Sequence, residues 1–403
     1  MQQRLQAIFF QLLQLGLWGK GRLSLSSPLS AKDWEVLYRY AKNHTVEGIL
    51  FDAFEQLNPE QLPPLALRMK WAVRIDQMER YNQKMAKSTA ALYAFFTAQG
   101  LRPILLKGQG VANCYRQPEH RVSGDIDWYF QDQGYDRAYQ SLVAKKLPVH
   151  VDKNFCLDYA WQGIAVEHHR QVFDIHSRFK TRYLLSLEAA YRDRQQSLHL
   201  GGQNITILAP ELQIVQVNIH ILKHLLAFGI GLRQICDAAV LYHNYHQQIN
   251  PQELQQIFKK LGILPWIQLL HYVLVKYLGL PKTELPFAYP DDTSADWMLN
   301  EIWQAGNFGF HDERFQDGKT TFVSKQPDGT RRLLRNMRLY YPYAPQEVLF
   351  FPIKMALARL SQYFFFRKKS IQKNSSLWNF GTRGSTKLVY VQLPNLQGDK
   401  KAK

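Results

Sequence analysis

A chain of 403 residues that is 46% hydrophobic and 13% aromatic can bury a sizeable core, which excludes a disordered protein and leaves room for two or three domains. Its three cysteines, Cys114, Cys156 and Cys236, are too few and too scattered for a disulfide framework or a zinc knuckle, and they fit a reducing cytoplasm. Basic residues outnumber acidic ones by 50 to 33, a net charge of +17, and from Arg367 onward nine Lys or Arg stand against the single acid Asp399. Such a tail reads as a solvated terminus, with attraction to anionic lipid or nucleic acid as the functional alternative.

The first eighteen residues, MQQRLQAIFFQLLQLGLW, imitate a signal peptide. Gln11 and Gln14 interrupt the run and no small-residue cleavage site follows, so it reads as an amphipathic helix of the folded protein. Apolar spacing of three and four predicts helices from about Ala31, with Ser30 as a cap, until Pro63–Pro64 ends them. A long helix follows from about 66 to 96, and Gly100 stops it.

At residue 101 the period changes. PILL (103–106) reads as a strand, Lys107–Gly108 as a turn, VANCYRQ as one or two helical turns, and IDWYF (126–130) as a second strand. A helix over YDRAYQSLVAKK precedes FCLDYAW–Gln162–Gly163–IAVEHH, which reads as a β-hairpin, and NITIL (204–208) is one further strand. Four helix-length patterns, punctuated by Gly and Pro, run from Pro210, and two loops precede a last helical, basic stretch. The fold class is therefore α+β, a small mixed sheet between helical segments. The expected division is an N-terminal helical region (1–100), an α/β core (101–209), a C-terminal helical domain (210–366) and a basic tail (367–403). No stretch reaches the roughly eighteen uncharged apolar residues of a spanning helix. The nearest, 348–366, contains Lys354 and Arg359. The aromatic, basic run from Leu339 reads equally as a core helix with a charged end or as a segment lying on a membrane surface.

The chemistry concentrates in LLKGQGVANCYRQPEHRVSGDIDWYF. Residues i and i+2 of a strand share a face, so Asp125 and Asp127 present both carboxylates to one place. Side by side they repel unless a cation sits between them, and a hard divalent cation, Mg²⁺ or Mn²⁺, suits oxygen ligands. Upstream, a Gly turn into a helix offers backbone N–H groups to a phosphate, and Lys107 adds a point charge. Arg121 reads equally as a neutraliser of a pyrophosphate leaving group and as a counter-ion of the acidic pair. GQGVAN fails as a dinucleotide fingerprint because Asn113 replaces its third Gly, and DGKTT (317–321) fails as a phosphate loop because Glu313 stands at its first Gly. His168, His169 and His176 lack further ligands for a zinc site and read as strand or supporting histidines. His220 and His224, at i and i+4, read as packing or substrate contacts.

The order Gly turn, helix, Asp-x-Asp strand resembles the polymerase-beta-like nucleotidyltransferases. More narrowly, the chain is similar to an uncharacterised bacterial nucleotidyltransferase family marked by Lys-Gly, a Tyr, an Arg and Asp-Ile-Asp, here Lys107–Gly108, Tyr115, Arg121 and Asp125–Ile126–Asp127. GIAVEHHRQVFDIH, the set His220, Lys223, His224, Arg233 and Asp237, and GNFG (306–309) continue the resemblance, over roughly 30–365. It implies a nucleotidyltransferase core that moves a nucleoside monophosphate from an NTP, with ATP the expected donor, to a small-molecule, glycan-precursor or peptide acceptor. A nucleic-acid-directed transferase and a non-catalytic nucleotide-binding protein are the alternatives. The resemblance also implies a third carboxylate, Glu167 or alternatively Asp174, with Glu167 favoured by its place just after the hairpin turn. Nucleotide contacts would come from Lys107, Gly108, Gln109, Arg121, Lys223 and Arg233. Gln109 stands where many members of the wider superfamily carry Ser.

Overall fold

The structure, a computed structural model, describes residues 2–25, 28–151, 156–315 and 329–357. The signal-like stretch is a helix, α1 (Gln2–Trp18), that puts Phe9, Leu12 and Leu13 fully inside the protein. α2 (Ala31–Asn43) opens on a capping box: the Asp33 N–H donates to Ser30 Oγ while the Asp33 carboxylate accepts from the Ser30 N–H. After α3 (Glu47–Asp52), Pro63 and Pro64 forbid continuation, and α4 (Leu65–Thr97) starts directly behind them. Its 33 residues make a rod about 50 Å long. Leu67, Trp71, Ile75 and Met78 of its first half enter a large helical core, whereas Met85, Leu92 and Phe96 enter a second core under the sheet.

The next stretch interleaves β1 (Pro103–Leu106), α5 (Lys107–Ala112), β2 (Asp125–Phe130), α6 (Gly134–Ala144), β3 (His150–Val151), β4 (Leu157–Trp161) and β5 (Ile164–His169). α7 (Thr181–Ala190), β6 (Gln196–Leu200) and β7 (Gln203–Ile207) follow. The seven strands lie in the order β3-β4-β5-β2-β1-β7-β6. β2 runs parallel to β5 and antiparallel to β1, and β1 runs parallel to β7. Gln162 and Gly163 both take positive φ, 52° and 78°, the two-residue turn whose twist suits a hairpin, and β4 and β5 pair across it. The strand expected at 204–208 sits at 203–207 and has a partner that the sequence does not announce. QSLHL pairs with it across Gly201–Gly202, but this edge strand has only Leu198 and Leu200 to alternate, too short a run to stand out.

The remaining chain is helical: α8 (Pro210–Ala227), α9 (Leu232–Tyr245), α10 (Pro251–Leu261), α11 (Leu264–Leu278), α12 (Asp296–Ala305), α13 (Gly329–Tyr340) and α14 (345–357). Strand alternation gives the sheet two unlike faces. Ile126, Trp128, Phe130 and Val166 face the second core with α4 and α6. Ile104 and Leu106 face the large core, and on that side α5 packs against α8 and α9. Among the described residues no helix is long and apolar enough to cross a membrane. The DGKTT segment and the basic tail from Arg367 lie outside the described residues.

Candidate active site

Between β1 and α5 the chain turns sharply, with Lys107 at φ 28° and Gly108 at φ 42°. A side chain at Gly108 would be strained by that φ, although a Cβ there would make only ordinary contacts with the Asp125 carbonyl and the Asp127 carboxylate, at 3.5 and 4.0 Å. The turn aims Lys107 back at β2, where its Nζ lies 3.0 Å from Asp127 Oδ1. Asp125 and Asp127 share a face of β2, and the parallel register sets Glu167 of β5 directly beside Asp127. His169, two residues further along β5, therefore faces the same way, and its Nε2 meets Asp127 Oδ1 at 2.6 Å and Glu167 Oε2 at 3.7 Å.

Burial alone would lift every carboxylate here, and the neighbours then divide them. Lys107 and His169 outweigh burial at Asp127 and hold its carboxyl at about 2. Burial and the Asp127 charge raise Asp125, and burial with both aspartates pushes Glu167 up to about 8. One lysine does not neutralise three crowded carboxyls. Ligand atoms of Asp127, Glu167 and His169 lie within 4.8 Å of one another, close enough to share one ion. Two carboxylates and one imidazole, with Asp125 on the same strand face, suit a divalent cation.

Sequence reasoning gives His169 only a strand or supporting role. The signal that singles it out is its i+2 spacing from Glu167, which puts both on one strand face. Its neighbour His168 faces the opposite side, fully buried against Phe96 and Phe130, and shares a 2.8 Å hydrogen bond with the Tyr159 hydroxyl. Asp174 lies beyond the end of β5. Lys223 and Lys354 both pair with it, Lys354 at 2.6 Å, and together they hold its carboxyl far below the usual range despite burial. His176 sits beside that cluster, where its backbone N–H donates to Glu347 at 2.6 Å.

α8 and α9 supply the opposing wall. His220 and His224 stack edge to face at 4.3 Å, and burial together with the Lys107 and Lys223 charges holds both rings neutral. Arg233 donates through one terminal nitrogen to the Val122 carbonyl at 2.6 Å, while its buried Nε has no hydrogen-bond partner among the described residues. Burial and the nearby Arg121 charge make its own charge less favourable, and Asp237 and Asp125 counter this only in part. An underpaired buried cation beside an acidic cluster is a ready receptor for an anion.

Three expected nucleotide contacts are occupied elsewhere: Lys223 by Asp174, and Arg121 and Gln109 by the partners that follow. Arg121 is clamped by Asp237 through two 2.7 Å hydrogen bonds, and the Tyr115 hydroxyl adds a third to Asp237 at 2.7 Å. Of its two sequence readings, the geometry favours the counter-ion, although of Asp237 and not of the acidic pair. Gln109 is buried, and its amide donates to Asn82 and Ser123 at 3.3 and 3.2 Å. It ties α5 to α4 and to the segment leading into β2.

An acidic pair on one strand, a carboxylate beside it on a parallel neighbour and a cationic wall opposite thus meet in one place. Residues 30–279 match the family described as uncharacterised nucleotidyltransferase, and the chain belongs to that family. The match ends well short of residue 365, so GNFG and α14 fall outside it. Among solved structures, an antigenic nucleotidyltransferase-like protein from Paracoccidioides brasiliensis is similar over 51% of this chain and 93% of its own. At 15% identity and a TM-score of 0.31 that likeness carries no argument. No curated protein matches the chain.

Proposed function

We propose that the protein is a divalent-cation-dependent nucleotidyltransferase, with ATP as donor and a small molecule, glycan precursor or peptide as acceptor. The observation that carries the reading is the in-register placement of Glu167 beside Asp127, with Asp125 on the same face, opposite the underpaired Arg233. Asp125, Asp127 and Glu167 are the residues that would hold Mg²⁺ or Mn²⁺, with His169 beside them. When bound, such an ion would supply Lewis-acid polarisation of phosphoryl oxygen and lower the pKa of an attacking hydroxyl. The acceptor oxygen forms a bond to the α-phosphorus as the bond to the β-phosphate oxygen breaks and pyrophosphate leaves.

The chain's own groups serve that displacement. Lys107 and Arg233 neutralise the phosphates, and the side-chain-free Gly108 lets the triphosphate approach the backbone closely. Glu167 Oε2 receives the acceptor's proton, and His169 fixes the Asp127 carboxylate that faces it. Lys223, one residue from His224 on α8, is already paired with Asp174 and supports the wall from there. Arg121 and Gln109 position this machinery, because both already have buried partners. A nucleic acid acceptor draws its support from net charge, and nearly half of that excess sits from Arg367 onward, away from these residues in sequence.

Thermal-shift and calorimetric titration of ATP, CTP, GTP and UTP, with and without Mg²⁺, tests the reading. Wild type should be stabilised by NTP only when the cation is present, and Asp125→Asn or Asp127→Asn should abolish that gain while still folding. Equal Mg-NTP binding by the variants and wild type would refute it.

A further inference from the structure

We propose that the outer face of α14, together with Phe179, is a docking surface for an anionic lipid bilayer. The inference stands apart from the nucleotidyltransferase reading, because none of the carboxylates or cations assigned to that chemistry takes part in it.

The two sides of α14 are the reverse of an ordinary surface helix. Its inner side is anchored to the segment that follows β5. Val348 and Phe351 are buried in the large core, and the Phe351 ring meets His176 at 4.8 Å. Glu347 accepts from the backbone N–H groups of His176 and Ser177 at 2.6 and 3.0 Å, and Lys354 turns inward to Asp174 at 2.6 Å. These are the only charged residues of the helix, and both have partners inside. Leu349, Ile353, Ala356 and Leu357 fall on the opposite side at about 3.6 residues per turn. The three large side chains among them are 47%, 50% and 45% exposed. Phe179, on the turn Arg178–Lys180, extends this surface: its ring packs edge to face on Phe350 at 5.4 Å and is itself 78% exposed.

An apolar face of this kind marks a contact surface, and the surrounding charge selects the partner. Arg178, Lys180 and Arg182 flank Phe179, with no acid between residues 178 and 187. From Val348 to Gly398 the sequence holds eight Lys or Arg and neither Asp nor Glu. A second copy of this face would set like charges against like. A nucleic acid would answer the cations but not the leucine and isoleucine side chains. An anionic bilayer answers both, with acyl chains for the outer face of α14 and lipid phosphates or carboxylates for the cations. The sequence just beyond α14 fits that setting, since Tyr363 and Phe364–Phe366 directly precede Arg367–Lys369.

Full-length wild type, Leu349→Asp/Ile353→Asp and a control, Leu65→Asp/Met69→Asp on a likewise exposed stripe of α4, are floated with two kinds of vesicle. One is phosphatidylcholine alone, the other phosphatidylcholine and phosphatidylserine in equal parts. Wild type should float with the phosphatidylserine vesicles, stay behind with phosphatidylcholine, and detach as salt is raised. Leu349→Asp/Ile353→Asp should keep the wild-type Tm, since both side chains are exposed, and lose vesicle affinity about tenfold or more, the effect of withholding an apolar side chain from burial. The α4 control should float like wild type, and light scattering should give wild type and the α14 variant the same mass. Wild type that ignores phosphatidylserine overturns the docking role. So does an α14 variant that floats as well as wild type, which would leave the cations alone as the source of attraction. A dimer that the α14 variant dissolves gives the face to a second copy, and a parallel loss of duplex DNA binding in that variant gives it to nucleic acid; either result also overturns the proposal.

Discussion

Glu167 and Asp174 are acidic residues seven positions apart, and their neighbours give them opposite electrostatics. Glu167 sits among like charges and is pushed up to about 8, whereas two lysines hold the Asp174 carboxyl low. In cation-free protein at neutral pH the acidic cluster therefore carries a proton that a divalent cation must displace. Cation binding should release protons, and apparent affinity should fall as pH drops below about 8; titration in two buffers of different ionisation enthalpy measures both. Glu167→Gln should reduce cation affinity directly. Asp174→Asn should leave it intact and lower stability instead, by freeing Lys223 and Lys354. Removing Asp237 strands the buried Arg121 without a counter-charge, so Asp237→Ala should cost about 3–5 kcal/mol in urea unfolding. The aspartate pair was legible because i and i+2 share a face whatever the register. His169 was not, because adjacent histidines exchange faces with a one-residue slip, and only the pairing of β2 with β5 decides which one turns to the carboxylates. The clamp of Arg121 by Asp237 was equally hidden, since its partners are 116 residues apart.

At the scale of elements, the segment leading into β2 is pinned by an imidazole held between two acids. His120 bonds to Asp52 of α3 through Nδ1 and to Glu79 of α4 through Nε2 at 2.7 Å. Burial pulls its pKa down, but the two carboxylates outweigh it and lift it to about 9. A raised folded-state pKa means that this stabilisation is complete below about 6.5, the unfolded value, and is lost as pH rises through 9. Wild-type stability should therefore decline across that window, and His120→Gln should flatten the decline. Chemical denaturation at pH 6, 7.5 and 9 distinguishes the two slopes. Long helices and the Gln162–Gly163 hairpin were readable because period and turn chemistry are local. β6 was not, since a short edge strand takes its structure from the partner it pairs with.

At the scale of the whole molecule, charge and chemistry are separate in sequence. The carboxylates, Lys107 and Arg233 all precede residue 240, while the run from Arg367 to the C-terminus holds a net +8 of the overall +17. Truncation after Arg367 should leave Mg-NTP binding unchanged. It should also weaken retention on an anionic resin, with a shallower dependence on salt. Loss of nucleotide affinity in the truncated protein would place part of the site in the tail.

The rod α4 has a thermodynamic consequence. Because one uninterrupted helix gives Trp71 to the helical core and Phe96 to the core under the sheet, neither core can melt without fraying the other's support. Heating should then give one endotherm whose calorimetric and van't Hoff enthalpies agree, in place of two separate transitions. Ligand bound at the carboxylates should raise that single melting temperature and, through it, protect amide hydrogens as far away as α1.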